Sequence, residues 1–183
     1  MATWIGLSGP IASGKTTVAC HLFRQHGYQY ARYSQVLARM LKAQGKAVSR
    51  RNLQELGEEV NQTMGGVGLT RLLVSELAAE ATAVIDGLRH LSDVETLRRH
   101  NARFVLVYIH ASDSIRRQRY EAAWVAGAPS FDQACEHPVE REVALLESCA
   151  DFVIDNNDSL ETLFEVMSRI LSTLDEVSSD VGG

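Results

Sequence analysis

Apolar residues run along this chain in two alternating rhythms: short blocks, and longer stretches in which they return every third or fourth position. The short blocks have the length of buried strands, and the longer stretches have the spacing of amphipathic helices. Strands are predicted at Trp4-Ile5-Gly6-Leu7-Ser8, Tyr28 to Tyr33, Ala83 to Asp86, Arg103 to His110 and Asp151 to Ile154. Thr16 to His26 is predicted as a helix burying Val18, Ala19, Leu22 and Phe23, with Gly27 as its stop. Ser34 is expected to cap Gln35 to Gln44, and Ser49 to cap a helix reaching Met64 with Leu53, Leu56 and Val60 on one face. Further helices are predicted over Leu69 to Ala81, Ser92 to His100, Ser112 or Asp113 to about Val125, Val139 to Cys149, and Leu160 to Leu174. The glycine and proline punctuation at 127–129 and 136–138 predicts a mobile excursion, and Asp175 onward a frayed tail.

Strands that alternate with helices imply an α/β fold whose parallel sheet is covered on both faces. Ligands in such sheets lie beyond the strand C-termini, so Ser8, Tyr33, Asp86 and His110 are expected on one rim. Trp4 and Trp124 read as packing residues, and His110 as either a site residue or a capped core histidine.

At 183 residues the chain fits one domain with a well-buried core. No apolar stretch has the length of a membrane span, and the start lacks the pattern of a signal peptide. Cys20, Cys135 and Cys149 are odd in number and share no metal-ligand spacing, which suits reduced thiols in a cytoplasmic protein. The net charge of −5 conceals an asymmetry. Residues 1–54 hold eight Lys or Arg and no Asp or Glu, while the rest carries ten basic and all 23 acidic residues. A basic N-terminal third implies small anionic ligands there, and the overall acidity argues against long nucleic acid.

Gly9-Pro10-Ile11-Ala12-Ser13-Gly14-Lys15-Thr16-Thr17 fits G-x-x-x-x-G-K-[ST] between a predicted strand and a predicted helix. Gly9 and Gly14 free the backbone to aim amides at oxyanions, with Ala12, Ser13 and Thr17 in the same cradle. Lys15 can reach the β- and γ-phosphates, and Thr16 can ligate Mg²⁺. The helix N-terminus adds its positive end. Asp86, ending a buried strand, suits the Mg²⁺ shell or a catalytic role, or else an Asp-Gly turn with Gly87. Arg89 is placed to clamp an acceptor phosphate. Of Arg116, Arg117 and Arg119 at a helix start, Arg116 and Arg119 are neighbours, and Arg119 is the first candidate to neutralise transition-state charge. Asn156 follows the last strand, where a nucleotide base could meet it.

These segments resemble the P-loop nucleotide kinases of the adenylate kinase and dephospho-CoA kinase type, above all the small deoxynucleoside-monophosphate kinase-like proteins of phages and archaea. Gly9 to Thr17 is similar to their Walker A loop, and Val84-Ile85-Asp86-Gly87-Leu88-Arg89 to their strand-end D-G-x-(P)-R segment. Ser49 to Gly57 resembles their acceptor-side helix, and Ala150 to Asn156 with Ser159-Leu160 their closing strand and helix. The resemblance implies a three-layer sandwich with sheet order 2-3-1-4-5, a helical acceptor-binding insert over 34–81 and a lid over about 112–138. It also implies ATP and Mg²⁺ as donor and metal, with Arg39, Arg51, Arg89 or Arg116 on the acceptor. Two departures bear on the chemistry. The acid that dephospho-CoA kinases carry at the second strand's end is replaced by Tyr30-Ala31-Arg32-Tyr33-Ser34, and a second lid arginine gives way to Ala122 and Ala123. Without that acid, the expected acceptor is a nucleoside or deoxynucleoside monophosphate, whose oxygen is already anionic. The alternatives are a hydroxyl-acceptor kinase and a nucleotide-dependent switch.

Overall fold

In the computed structural model, which describes residues 2–180 except 66, 79 and 124–126, the five predicted strands form one all-parallel sheet in the order β2-β3-β1-β4-β5. The strands are β1 (Trp4–Ser8), β2 (Gln29–Arg32), β3 (Ala83–Asp86), β4 (Phe104–His110) and β5 (Phe152–Asp155). The helices are α1 (Lys15–His26), α2 (Tyr33–Ala43), α3 (Arg50–Met64), α4 (Gly68–Ser75), α5 (Leu91–His100), α6 (Asp113–Ala122), α7 (Phe131–Cys135), α8 (Pro138–Leu145) and α9 (Leu160–Asp180). A 3₁₀ turn, Leu146–Cys149, leads into β5.

The period of two along each strand divides the core. Trp4, Ala83, Ile85, Phe104, Leu106 and Tyr108 point to one face, where Val36, Leu73, Val94, Leu97 and Val143 from α2, α4, α5 and α8 meet them. Ile5, Leu7, Val84, Val107, Ile109 and Ile154 point to the other, against Val18, Ala19 and Leu22 of α1 and Leu163 and Met167 of α9. Burial on both faces explains why β1, β3 and β4 read as nearly unbroken apolar runs. A third cluster, Leu37, Leu41, Leu56 and Val60, joins α2 to α3 away from the sheet. Among the described residues no helix is long and apolar enough to cross a membrane.

Several elements differ from their prediction. Phe23 is 51% exposed rather than buried, because Val18, Ala19 and Leu22 already fill the sheet-facing stripe of α1. Helix α2 starts at Tyr33 with Arg32 as its N-cap residue, so Ser34 lies inside the helix. The Tyr33 hydroxyl meets Thr70 of α4 at 3.2 Å, which holds the ring inward. Helix α4 stops at Ser75 because the Gln29 side chain takes over the chain beyond it, donating to Glu76 O and accepting from Ala78 N, both at 3.2 Å.

The predicted excursion contains α7, closed by a reciprocal capping box between Ser130 and Gln133. Its neighbours tie it down: Tyr120 Oη donates to Pro129 O at 2.8 Å, and Arg117 forks onto Asp132 while lying over the Phe131 ring. Helix α9 continues to Asp180, so the predicted tail is helical over its described part. Trp4 is buried as predicted; Trp124 lies outside the described residues.

Candidate functional site

The turn after β1 is shaped by backbone that only small residues tolerate. Gly9 has φ 138° and Gly14 φ 109°, and Ala12, at φ 61°, is the one non-glycine among the described residues in the left-handed region. A Cβ on Gly9 would run into Ile109 O, and one on Gly14 into the Asn156 amide. Such strain persists where the surroundings fix the conformation, and it clusters at ligand-binding turns. Behind the turn, α1 opens with its first amides free of internal partners, which makes its N-terminus an anion site.

Lys15 is folded into this turn, its Nζ donating to Gly9 O and Pro10 O, each at 2.7 Å. Burial lowers its pKa from 10.5 to about 8; the charges of Arg89 and Arg116 push the same way, against Asp86 and Glu140. Asp86, only 2% exposed, ends β3 in register with Leu7 and Arg32. Its Oδ2 accepts from Thr16 Oγ1 and from Tyr30 Oη, both at 2.9 Å, and lies 3.7 Å from Arg32 Nε. The Tyr30 hydroxyl is held protonated well above its usual range by burial and by the Asp86 charge beside it. The turn after Asp86 runs through Gly87 at φ 91° and returns amides 87 and 88 to Leu7 O, so Asp86 is also a turn residue.

From the opposite side the turn is held at its tip and its base. Ile11 N donates to Glu140 Oε2 at 2.9 Å, and Ile11 O accepts from Arg116 Nη1 at 3.2 Å. Asn156 Nδ2 donates to Ser13 O at 2.7 Å, and Arg119 Nη2 in turn donates to Asn156 O at 3.1 Å. Among the described residues, four buried side-chain atoms lack any hydrogen-bond partner: Ser13 Oγ, Arg116 Nε, Arg119 Nη1 and Asn156 Oδ1. They belong to this turn, to Arg116 and Asn156 bonded to it, and to Arg119 bonded to Asn156. Unspent hydrogen-bonding capacity gathered in one place is the mark of a ligand site. A cavity of about 690 Å³ opens beside them, lined by Ala12, Gly14, Thr17, Arg119, Tyr120 and Leu160 among others. That volume lies within the range of small-ligand sites.

The sequence-predicted residues divide sharply. Gly9, Ala12, Ser13, Gly14, Lys15, Thr16, Thr17, Asp86, Arg119 and Asn156 come together around the turn. Asn156 does so by gripping the turn from beneath with its side chain, where the sequence suggested contact with a base. Arg116 is buried with Nη1 on Ile11 O and Nη2 on Asp113, so it braces the turn, and only its Nε is left without a partner. Arg39 is paired with Glu76 and Arg51 with Glu55, both at the surface. Arg89 is exposed and makes no hydrogen bond or ion pair among the described residues, yet its charge reaches Lys15. Ser8 is buried with its hydroxyl on Leu88 O, and His110 is exposed.

Tyr30, Arg32 and Glu140 were not predicted. Alternation along β2 puts Tyr30 and Arg32 on one face, a signal that was available. Nothing near Glu140 announces that it meets a residue 129 positions earlier.

Thr16 and Asp86 offer hard oxygen donors side by side, the chemistry that suits Mg²⁺ completed by phosphate and water oxygens. No group of three or more His, Cys, Asp or Glu able to hold a metal occurs among the described residues, so the donor pair would share its ion with a phosphate ligand.

Comparison with known proteins agrees with this geometry. A family model described as an AAA domain matches residues 5–124. A UPF0200 protein of Pyrobaculum aerophilum is 29% identical over 181 residues, covering 95% of this chain and 99% of that one. Among solved structures, a sugar kinase from Janibacter is 17% identical with a TM-score of 0.59, covering 96% of this chain and 95% of its own. The shikimate kinase of Acinetobacter baumannii, solved with shikimate, is 20% identical with a TM-score of 0.54, covering 94% and 95%. The fold is therefore that of the P-loop kinases.

Proposed function

The chain belongs to the family of AAA domains, and from that footing we propose that it is an ATP- and Mg²⁺-dependent kinase of a small molecule. The observation that carries this reading is the turn at 9–17, with a half-buried lysine and four unspent polar atoms around it.

The backbone amides of 12–17 and the Lys15 ammonium would hold the donor phosphates, and Arg119 would face the charge that spreads over the equatorial oxygens. Thr16 and Asp86 would hold Mg²⁺, which supplies charge neutralisation on those oxygens when bound. Tyr30 and Arg32 fix the Asp86 carboxylate from the β2 side. Lys15 now bonds the carbonyls of 9 and 10, so it must exchange them for a phosphate oxygen.

Two acceptor chemistries compete. A nucleoside monophosphate needs arginine forks at the cradle, and its support is Arg89, which is unpartnered and close enough for its charge to reach Lys15. A hydroxyl acceptor needs no such set. It is supported by the pairing of Arg39 and Arg51 elsewhere and by the burial of Arg116, and it matches the sugar and shikimate kinases that share the fold. The residues over 34–81 would form the acceptor side, and those over about 112–138 the lid that excludes water.

The test is ADP release from ATP and Mg²⁺ across nucleoside monophosphates, gluconate, shikimate and glycerol. Acceptor-stimulated turnover is expected. Tight ATP binding with slow hydrolysis indifferent to every acceptor would replace the kinase by a switch, and no ATP binding would end both readings.

A further inference from the structure

Two carboxylates stand close enough to Lys15 for their charge to act on it, one beside the Thr16 hydroxyl that would share Mg²⁺ and one on the Ile11 side of the turn. Asp86 has its Oδ2 committed to Thr16, Tyr30 and Arg32. Glu140 is half-buried near the start of α8, and among the described residues its carboxylate has a single hydrogen-bond partner, the Ile11 amide. Ile11 sits at the tip of the phosphate-binding turn, on the side where Lys15 bridges the carbonyls of 9 and 10. Glu140 thus holds one lone pair on the turn and keeps its remaining lone pairs uncommitted. Its charge reaches Lys15, the residue that would meet the terminal phosphoryl group.

We propose that Glu140 is the proton acceptor for phosphoryl transfer to a hydroxyl, and that the acceptor is accordingly a small alcohol-bearing molecule. The proposal rests on the kinase reading and chooses between its two acceptors. In the step, the acceptor oxygen forms a bond to the γ-phosphorus as the bond from that phosphorus to the β–γ bridging oxygen breaks. The electron pair of the broken bond stays on the departing ADP, and the hydroxyl proton passes to a Glu140 carboxylate oxygen, from which solvent removes it.

A carboxylate at this point suits a neutral nucleophile and opposes an anionic one. A monophosphate would bring two negative charges towards it, at a cost that a single free Arg89 would have to offset. The charged groups around Glu140 fit the role. Lys15 faces it from α1, Arg116 reaches the same Ile11 from α6, and Tyr108 of β4 is near enough to feel its charge. The Pro138 start of α8 and the His137 side chain, which accepts from Val139 N, fix the turn of helix that carries it.

Glu140→Gln tests this, because the amide oxygen can still accept the Ile11 N–H while the basicity is gone. Wild type and variant are compared for ADP release with water, glycerol, gluconate, shikimate and adenosine monophosphate, for binding of a non-hydrolysable ATP analogue, and across pH. The expected result is a fall in kcat of at least about a hundredfold with hydroxyl acceptors, loss of the acid limb of the pH profile, unchanged analogue affinity, and partial recovery in Glu140→Asp. Hydroxyl turnover within threefold of wild type would overturn the role of Glu140 and leave the kinase intact. Increased turnover in the variant would overturn it too, by making Glu140 a plug over the turn. Wild-type turnover with adenosine monophosphate alone would refute the acceptor class. A wild type that binds no ATP analogue would fail at the kinase reading itself.

Discussion

The turn at 9–17 and the helical segment over 34–81, proposed as the acceptor side, are built by different means. Around 9–17 the cradle is mostly backbone, set by glycines that admit no Cβ, and its supports Asn156, Arg116 and Glu140 arrive from distant elements to hold a shape already given. Over 34–81 two of the arginines proposed for the acceptor are surface side chains paired with acids, Arg39 with Glu76 and Arg51 with Glu55. A backbone site has little freedom to change without losing the fold. A side-chain site can be rewritten one residue at a time, and this is the side on which substrate choice would differ between relatives.

The largest effect belongs to Lys15. Lys15→Met is expected to lower turnover about a thousandfold, as loss of a main donor to transferring phosphate does, while the ligand-free protein keeps its fold in thermal melts. If turnover survives, the donor side is not where the chemistry is.

The second effect is on pH. Folded Lys15 gives up its proton near pH 8, whereas the unfolded chain keeps it to about 10.5, so the unfolded state binds the extra proton between them. Stability of the ligand-free protein is therefore expected to rise from pH 8 towards 10, by at most about 3 kcal/mol. Above pH 10 it should turn down. Tyr108, raised by burial to about 12, and the raised Tyr30 and Tyr33 keep protons that the unfolded chain releases. Denaturant melts on wild type and Lys15→Met check this, since the variant should lose the rise and keep the fall. ATP affinity should run the other way and weaken as pH climbs through 8.

Next comes Gly14→Ala. Its Cβ must displace the Asn156 amide and occupy φ 109°, for a cost of about 1–3 kcal/mol in the melt together with loss of ATP-analogue binding. The smallest effects separate the two sides. Arg89→Ala should raise KM for an anionic acceptor about tenfold, the worth of one charge-assisted contact, while exposed Arg51→Ala should change KM less than twofold. Equal effects from both would erase the contrast.

What could be read from the sequence follows the same division. The strands themselves, the turn at 9–17 and Asp86 at the end of β3 depend on contiguous residues, and the chain states them locally, whereas the sheet order is non-local and was implied only by the family resemblance. The pairing of Arg51 with Glu55 was visible as a four-residue helical spacing. Arg39 with Glu76 was not, because it depends on how α2 meets the end of α4. Helix α7 did carry its signal, Ser130 with Gln133 three places on, but a five-residue helix between proline and glycine punctuation has no apolar period to reveal it. Glu140 left no trace. Its meeting with Ile11 is a product of the packed fold, in which β4 and the elements after it bring α8 over the first turn.

The position of β1 at the middle of the sheet has a consequence for synthesis. Its hydrogen-bonding neighbours are β3 and β4, so one edge of Trp4–Ser8 stays unmatched until Ala83–Asp86 has been made and the other until Phe104–His110 has been made. A ribosome must therefore deliver more than half the polypeptide before the nascent phosphate cradle can be braced. The segment at the very start of the chain is thus among the last to be secured as it is born.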